Sequence, residues 1–135
     1  MTLHLLEPKQ DQLGKHLTLA YWGAYDLPAH GMQSGMPRVF VGILRENGRK
    51  ARVSEPIYRF DAFEATGRTC EGRVYRLDGM PGHNAAVAQA WADWKRMHGV
   101  RDAIDASEEV LQGILDAHRM AQSANLRRLG MKART

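Results

Sequence analysis

The hydrophobic pattern divides the chain into an alternating first part and a helical second part. Between residues 16 and 79, apolar residues recur at every second position over short runs, which is the period of a half-buried strand. Beyond Gly82 they recur at every third or fourth position, which is the period of an amphipathic helix. The pattern predicts an α+β fold, with a small antiparallel five-stranded sheet or partial barrel followed by two amphipathic helices.

The clearest strand signal is a hairpin around Asn47-Gly48. Residues 38–46, which are rich in β-branched and aromatic side chains, and residues 49–54 flank this pair, which is typical of a two-residue type I′ turn with positive φ at both positions. A strand at residues 16–22 precedes the hairpin, and a long exposed loop is expected at 26–37.

The strands after the hairpin are separated by proline and glycine. Pro56 has no N–H for a ladder, so it marks a break before a strand at residues 57–63. Ala65-Thr66-Gly67 is predicted as a turn, and the last strand is expected at 69–77.

The first predicted helix carries two tryptophans on its apolar stripe. We expect Trp91 and Trp94 to pack on the sheet, whereas an exposed Trp would be an anchor for a partner. Asn84 or His83 is placed to cap the N-terminus of this helix, and Gly99 is placed to end it.

The second predicted helix runs from near Asp105 to Gly130. Asp105 and Glu108 have the spacing of a capping box, and the acidic first turns and basic last turns match the helix dipole. Its last turns are expected to project beyond the core. This helix is therefore the expected surface for a homo-oligomer.

The size and composition indicate a single domain. With 135 residues, of which 44% are hydrophobic, the chain can bury one core. We expect a loose arm at residues 1–15, a sheet part at 16–79, a helical pair at 82–130 and a basic tail at 131–135. Since no apolar run approaches the roughly 18 residues of a membrane span and no secretion signal is visible, a cytoplasmic location without a membrane partner is expected.

The net charge of +4 is carried by the C-terminal end. From Arg119 onward there are five basic residues and no acidic ones, which leaves 14 basic against 15 acidic residues over positions 1–118. An evenly basic domain would argue more strongly for nucleic acid than this distribution does.

A basic surface is nevertheless predicted around the hairpin tip, on the following strands and at the C-terminal end. The candidate partner-binding residues are Arg45, Arg49, Lys50, Arg52, Arg59, Arg73, Arg76, Arg127, Arg128 and Lys132. Beside Tyr58 and Tyr75 they could follow a phosphate backbone, although charged residues also protect sheet edges from aggregation. The expected partner is a protein with an acidic surface or a nucleic acid.

No residue pattern predicts a catalytic centre, a metal site or a cofactor. The six histidines lack metal-ligand spacing, and the single cysteine, Cys70, is expected to be a small buried residue. A small enzyme would need His30, His83 or Cys70 beside a carboxylate such as Asp61 or Asp78. We therefore expect a protein that is not an enzyme.

Residues 54–77 resemble a segment of small proteins from bacteria and their phages. The likeness consists of a Ser-x-Pro-Ile element followed by Thr-x-x-Gly-x-x-Tyr-x-Leu, and it implies no activity. The working hypothesis is a small non-enzymatic binding or adaptor protein of phage or mobile-element origin, for example an inhibitor of host machinery. It would act on a host protein or nucleoprotein through its basic surface. The alternatives are a nucleic-acid-binding module and a structural or oligomeric virion component.

Overall fold

A computed structural model describes residues 15–28, 37–48 and 50–130, with a mixed sheet at its centre. In chain order the elements are β1 (His16–Asp26), β2 (Arg38–Leu44), β3 (Ala51–Val53), β4 (Ile57–Asp61), β5 (Thr66–Thr69), β6 (Val74–Asp78), α1 (Ala85–His98), β7 (Ile104–Asp105) and α2 (Ser107–Arg128). The strand order is β3-β2-β1-β6-β5-β4, and β7 pairs with β1 outside this path. The predicted α+β class is confirmed.

The prediction of five antiparallel strands was wrong in number, and the sheet is antiparallel only in part. β1 runs parallel to β6, while the other strand pairs are antiparallel. β5 occupies residues 66–69, where a turn was expected, and β7 has only two residues, too few to leave a periodic signal. Three predicted segments lie wholly or mostly outside the described residues: the arm (residues 1–14), much of the long loop (29–36) and the basic tail (131–135).

The hairpin between β2 and β3 is confirmed, but its turn is longer than predicted. The Leu44 N–H donates to the Lys50 carbonyl at 2.8 Å, which places five residues in the loop between them. Gly48 has a φ of +67°, whereas Asn47 does not have a positive φ. A type I′ turn needs both, so the two-residue turn is not formed.

The sheet is rolled, so that its two end strands lie near each other. β3 and β4 stand at opposite ends of the strand order, yet only residues 54–56 join them. Six strands laid flat would separate the end strands by about 24 Å, whereas this link spans at most about 14 Å. Ser54 in the link continues the β2–β3 pairing, since its N–H donates to the Phe40 carbonyl (2.7 Å) and its hydroxyl accepts from the Phe40 N–H (2.9 Å).

Two hydrophobic clusters lie on the two sides of β1 and β2. The inner core, inside the roll, is closed by the start of α2 and contains Leu17, Leu19, Trp22, Phe40, Tyr75, Leu77 and Val110. The outer core lies under α1 and contains Val39, Val41, Val87, Trp91 and Val100. The prediction that Trp91 packs on the sheet is confirmed, since its ring stacks on Tyr25 with centroids 4.2 Å apart.

A bulge divides β1 into two segments. Tyr21 and Trp22 together stand opposite the single residue Gly42 of β2. Tyr21 has a φ of +51°, which is uncommon for a residue with a side chain. A Cβ at Gly42 would lie 2.9 Å from both the Ala20 carbonyl oxygen and the Leu19 Cβ, so glycine is required opposite the bulge.

The predicted limits of α1 are confirmed. The Asn84 side chain accepts hydrogen bonds from the N–H groups of Ala86 (2.8 Å) and Val87 (3.1 Å), and Gly99 ends the helix with a φ of +65°. These bonds satisfy the free amides at the helix start.

The start of α2 differs from the predicted capping box. Ala106 is the N-cap, and its methyl side chain cannot accept a hydrogen bond. Asp105 belongs to β7 instead, and its carboxylate accepts from the Ser107 N–H at 2.9 Å. From Arg119 to the end of α2 almost every residue is exposed, as expected for a projecting end. Within the described ranges, no helix has the length and apolar character to cross a membrane.

Candidate functional site

Among the described residues, a helix covers one half of the outer side of the sheet and no helix covers the other half. α1 packs on β2 and β3 through the outer core, while α2 lies on the inner side. The open half belongs to β4, β5, β6 and the first segment of β1. We call it the bare face, and it carries His16, Thr18, Arg59, Asp61, Thr66, Arg68, Val74 and Arg76.

The strand register arranges the bare face in two rows. In the first row Arg59 lies opposite Arg68, Arg68 opposite Val74, and Val74 opposite His16. In the second row the order across the same four strands is Asp61, Thr66, Arg76 and Thr18. Residues two apart on a strand share a face, so both rows point to the same side.

The first row contains two positive charges directly opposite each other. Like charges at such a cross-strand pair destabilise a sheet by roughly 0.2–1 kcal/mol. Among the described residues, neither Arg59 nor Arg68 has a carboxylate within 4 Å, whereas Arg76 lies 3.7 Å from Glu64. Positive charge on the bare face is therefore concentrated at Arg59 and Arg68.

Two adjoining cavities open on the bare face. One has a volume of about 330 Å³ and is lined by His16, Thr18, Glu64, Thr66, Arg68 and Arg76, among others. The second has a volume of about 230 Å³ and is lined by Arg59, Asp61, Thr66, Arg68 and Val74. Since they share Thr66, Arg68 and Val74, they form one shallow groove across the strands. Its guanidinium groups are donors that match the oxygens of phosphates and carboxylates.

Two of the predicted binding residues lie instead in a polar cluster at the inner side of the sheet. Arg52 donates to the Tyr75 hydroxyl (2.8 Å) and to the Glu55 carboxylate (2.8 Å), and Arg73 donates to the same carboxylate at 2.7 Å. Tyr75 in turn donates to Glu55 at 2.8 Å. We call these four residues the link cluster, because Glu55 belongs to the link between β3 and β4.

The link cluster shifts the pKa values of two of its members. Burial raises the pKa of Tyr75 to about 12; the contact with Arg52 acts against this and the one with Glu55 adds to it. Burial acts to raise the pKa of Glu55 too, but the hydrogen bond from Tyr75 and the charges of Arg52 and Arg73 hold it below its ordinary value. The cluster is thus a neutral tyrosine and an ionised glutamate between two arginines, which suits a structural role. Tyr75 is fully buried, so it does not belong to an exposed surface that could follow a phosphate backbone.

The remaining predicted binding residues do not gather at one place. Arg45 pairs with Asp78 at 2.8 Å, Lys50 is exposed after the hairpin turn, and Arg127 and Arg128 are exposed in the last turn of α2. Arg49 and Lys132 lie outside the described residues. Of the ten predicted residues, the bare face unites Arg59 and Arg76.

The residues considered for catalysis are placed as follows. Cys70 is exposed in the turn between β5 and β6, so the expectation of a buried cysteine was wrong. His83 is exposed just before α1, and His30 lies outside the described residues. In the part of the chain that the structure describes, no group of three or more His, Cys, Asp and Glu side chains could hold a metal ion.

Sequence reasoning missed Arg68 and His16. Residues 66–69 contain no large apolar side chain, so this strand leaves no hydrophobic alternation in the sequence, and its first two residues were assigned to a turn. His16 was treated only as the start of a strand, because its position beside β6 depends on a parallel pairing that the pattern does not encode.

No protein-family model matches this chain, and neither a curated protein nor a solved structure is significantly similar to it. The bare face is therefore interpreted from its own residues and their geometry.

Proposed function

We propose that the chain is a binding protein that holds a polyanionic partner on its bare face. The observation that supports this most directly is the opposed pair Arg59 and Arg68, which has no carboxylate within 4 Å among the described residues. A bound anion between the two guanidinium groups would turn their repulsion into two charge-assisted hydrogen bonds.

The shape of the groove supports an extended partner. Sites for small molecules enclose most of the ligand surface, whereas the two cavities of the bare face are shallow and adjoin each other across four strands. A partner with closely spaced negative groups could contact Arg68 together with Arg59, which lies opposite it, or with Arg76, which lies diagonally from it on β6 opposite Thr66. This arrangement favours binding over catalysis.

The projecting end of α2 adds positive charge outside the groove. Arg119, Arg127 and Arg128 are exposed there, and no acidic residue follows Asp116. Such a distribution accelerates the approach of an anionic partner through long-range attraction. Self-association through α2 stays a separate prediction.

The proposal is tested with labelled inorganic polyphosphate, whose binding is followed by fluorescence anisotropy over a range of salt concentrations. The double variant Arg59→Ser/Arg68→Ser should bind at least about tenfold more weakly, since hydrogen bonds to charged groups contribute roughly 1.5–3 kcal/mol each. Its affinity should also depend less steeply on salt.

The matched control is Arg96→Ser/Arg101→Ser, which removes the same charge from α1 and the loop after it. This variant should change the affinity less than about twofold, because its two arginines lie outside the bare face. Equal weakening by the two double variants, or absence of binding at low salt, would overturn the proposal.

A further inference from the structure

We infer that the polyanion is a single-stranded nucleic acid, with phosphates on Arg59 and Arg68 and one unpaired base on Tyr58. The inference rests on the proposed function and adds the chemical class of the partner. It depends on the position of Tyr58 at the edge of the bare face.

Tyr58 is the bulged residue of β4. Ile57 pairs with Thr69 and Arg59 pairs with Arg68, so the register leaves Tyr58 without a partner residue on β5. Bulges of this kind redirect a side chain and are frequent at sheet edges and beside binding sites. Here Tyr58 is 68% exposed, more than the other exposed aromatic residues Tyr21 (53%) and Phe63 (48%).

A third cavity, of about 480 Å³, begins where the bare face ends. It is lined by Tyr58, Arg59, Phe60, Asp26, Arg38 and Glu109, and Arg59 also lines the groove of the bare face. Arg59 therefore stands on the boundary between the groove and the place occupied by Tyr58.

Apart from Arg59, the charged side chains of this third cavity are one arginine and two carboxylates, unlike those of the groove. Arg38 donates to both carboxylate oxygens of Asp26 (2.6 and 3.0 Å) and lies 3.3 Å from Glu109. The cavity consequently offers an aromatic ring beside an arginine that is already paired with carboxylates, which suits a base better than a phosphate. The groove beside it offers the uncompensated cations, which suit phosphates.

An aromatic ring beside arginines favours single-stranded over double-stranded nucleic acid. Single strands bind to proteins by placing the backbone on cations and stacking bases on aromatic side chains, and each stacked base contributes roughly 1–3 kcal/mol. In a duplex the base faces are already stacked on each other, so Tyr58 would have nothing to contact. An acidic protein would use the arginines and leave Tyr58 without a role.

The test compares four labelled probes: a short oligodeoxythymidylate, the corresponding duplex, inorganic polyphosphate and polyglutamate. The native protein should bind the single strand more tightly than the other three. Tyr58→Ala should weaken single-strand binding by about fivefold to a hundredfold and leave polyphosphate binding unchanged, whereas Tyr58→Phe should retain most of the single-strand affinity.

Three outcomes would overturn the inference: a duplex bound as tightly as the single strand, polyglutamate bound more tightly than the oligonucleotide, or single-strand binding unchanged in Tyr58→Ala. After any of these three outcomes, the proposed function still holds if Arg59→Ser/Arg68→Ser weakens binding of the polyanion that the native protein prefers. Absence of binding to all four probes at low salt would refute the proposed function itself.

Discussion

The covered half and the bare half of the outer sheet surface are built from the same kind of strand and differ in what the strands present. On β2 the outward residues include Val39 and Val41, and α1 buries them under Trp91. On β5 and β6 the outward residues include Arg68 and Arg76, which remain exposed. The type of residue that points outward from a strand thus decides whether a helix can cover that strand, since burying an unpaired charge costs far more than burying an aliphatic side chain.

The largest effect is expected in the covered half, from Trp91→Ala. Trp91 is only 7% exposed and stacks on Tyr25 and on Trp94, so its removal should lower the free energy of unfolding by about 3–5 kcal/mol. Urea denaturation followed by circular dichroism measures this. A loss below about 1 kcal/mol would mean that α1 does not depend on the outer core.

The second effect concerns the bulge at which β1 passes from the bare half to the covered half. Gly42→Ala should lower the free energy of unfolding by about 1–3 kcal/mol, because the new methyl group would lie 2.9 Å from the Ala20 carbonyl oxygen. The matched control is Gly113→Ala in α2, where a Cβ meets no atom within 4 Å. This control should gain up to about 1 kcal/mol from helix propensity. Similar losses in both variants would contradict the close approach at the bulge.

A third effect should appear on raising the pH, because the link cluster joins the two halves from inside. Arg52 comes from β3 in the covered half, and Tyr75 comes from β6 in the bare half. The pKa of Tyr75 is raised from 10.0 to about 12. Its contribution to stability is therefore complete below pH 10 and is lost as the pH rises towards about 12, by roughly 2 kcal/mol.

Tyr75→Phe is the control for this titration. Its free energy of unfolding, measured by urea denaturation in steps between pH 9 and 12, should fall less with pH than that of the native protein. Parallel curves for the two proteins would show that Tyr75 has the same pKa in the folded and unfolded chains.

The smallest effect is expected in the bare half, from Arg68→Thr. Removing one of two opposed arginines relieves repulsion with Arg59 and places a β-branched residue in a strand, so stability should stay within about 0.5 kcal/mol of the native value or rise slightly. Polyphosphate binding should weaken in the same variant. A clear loss of stability would mean that Arg68 is a structural residue, which would remove the contrast between the two halves.

The sequence predicted the features that depend on neighbouring residues. Asn84, Gly99 and the stripe with Trp91 determine α1 locally, and the hairpin of β2 and β3 joins adjacent runs. The parallel pairing of β1 with β6 could not be predicted, because it joins distant segments with no turn between them. The length of the hairpin loop was also missed, since Asn47 keeps a negative φ in a loop that extends to Lys50.

The sequence predicted that arginines form the candidate site, but not which of them lie together in the fold. Charge alone could not show that Arg59 and Arg52 lie on opposite sides of the sheet, because both follow hydrophobic residues in predicted strands. The difference arises from strand alternation: Ala51 and Val53 pack in the outer core, so Arg52 between them lies on the inner side. There it pairs with Glu55, whereas Arg59 lines the groove on the outer side. Which arginines lie inside the sheet and which lie outside therefore depends on how the sheet rolls.

The position of β1 in the sheet also sets an order of events during synthesis. β1 can pair with β2 as soon as the first hairpin has emerged, but its other edge must wait for β6 and then for β7 near residue 105. Until then a nascent chain carries an open strand edge beside apolar residues of the inner core, a combination that invites pairing with other chains. α2 follows all of these strands in the chain and closes that core, so the fold is completed only after α2 has been synthesised.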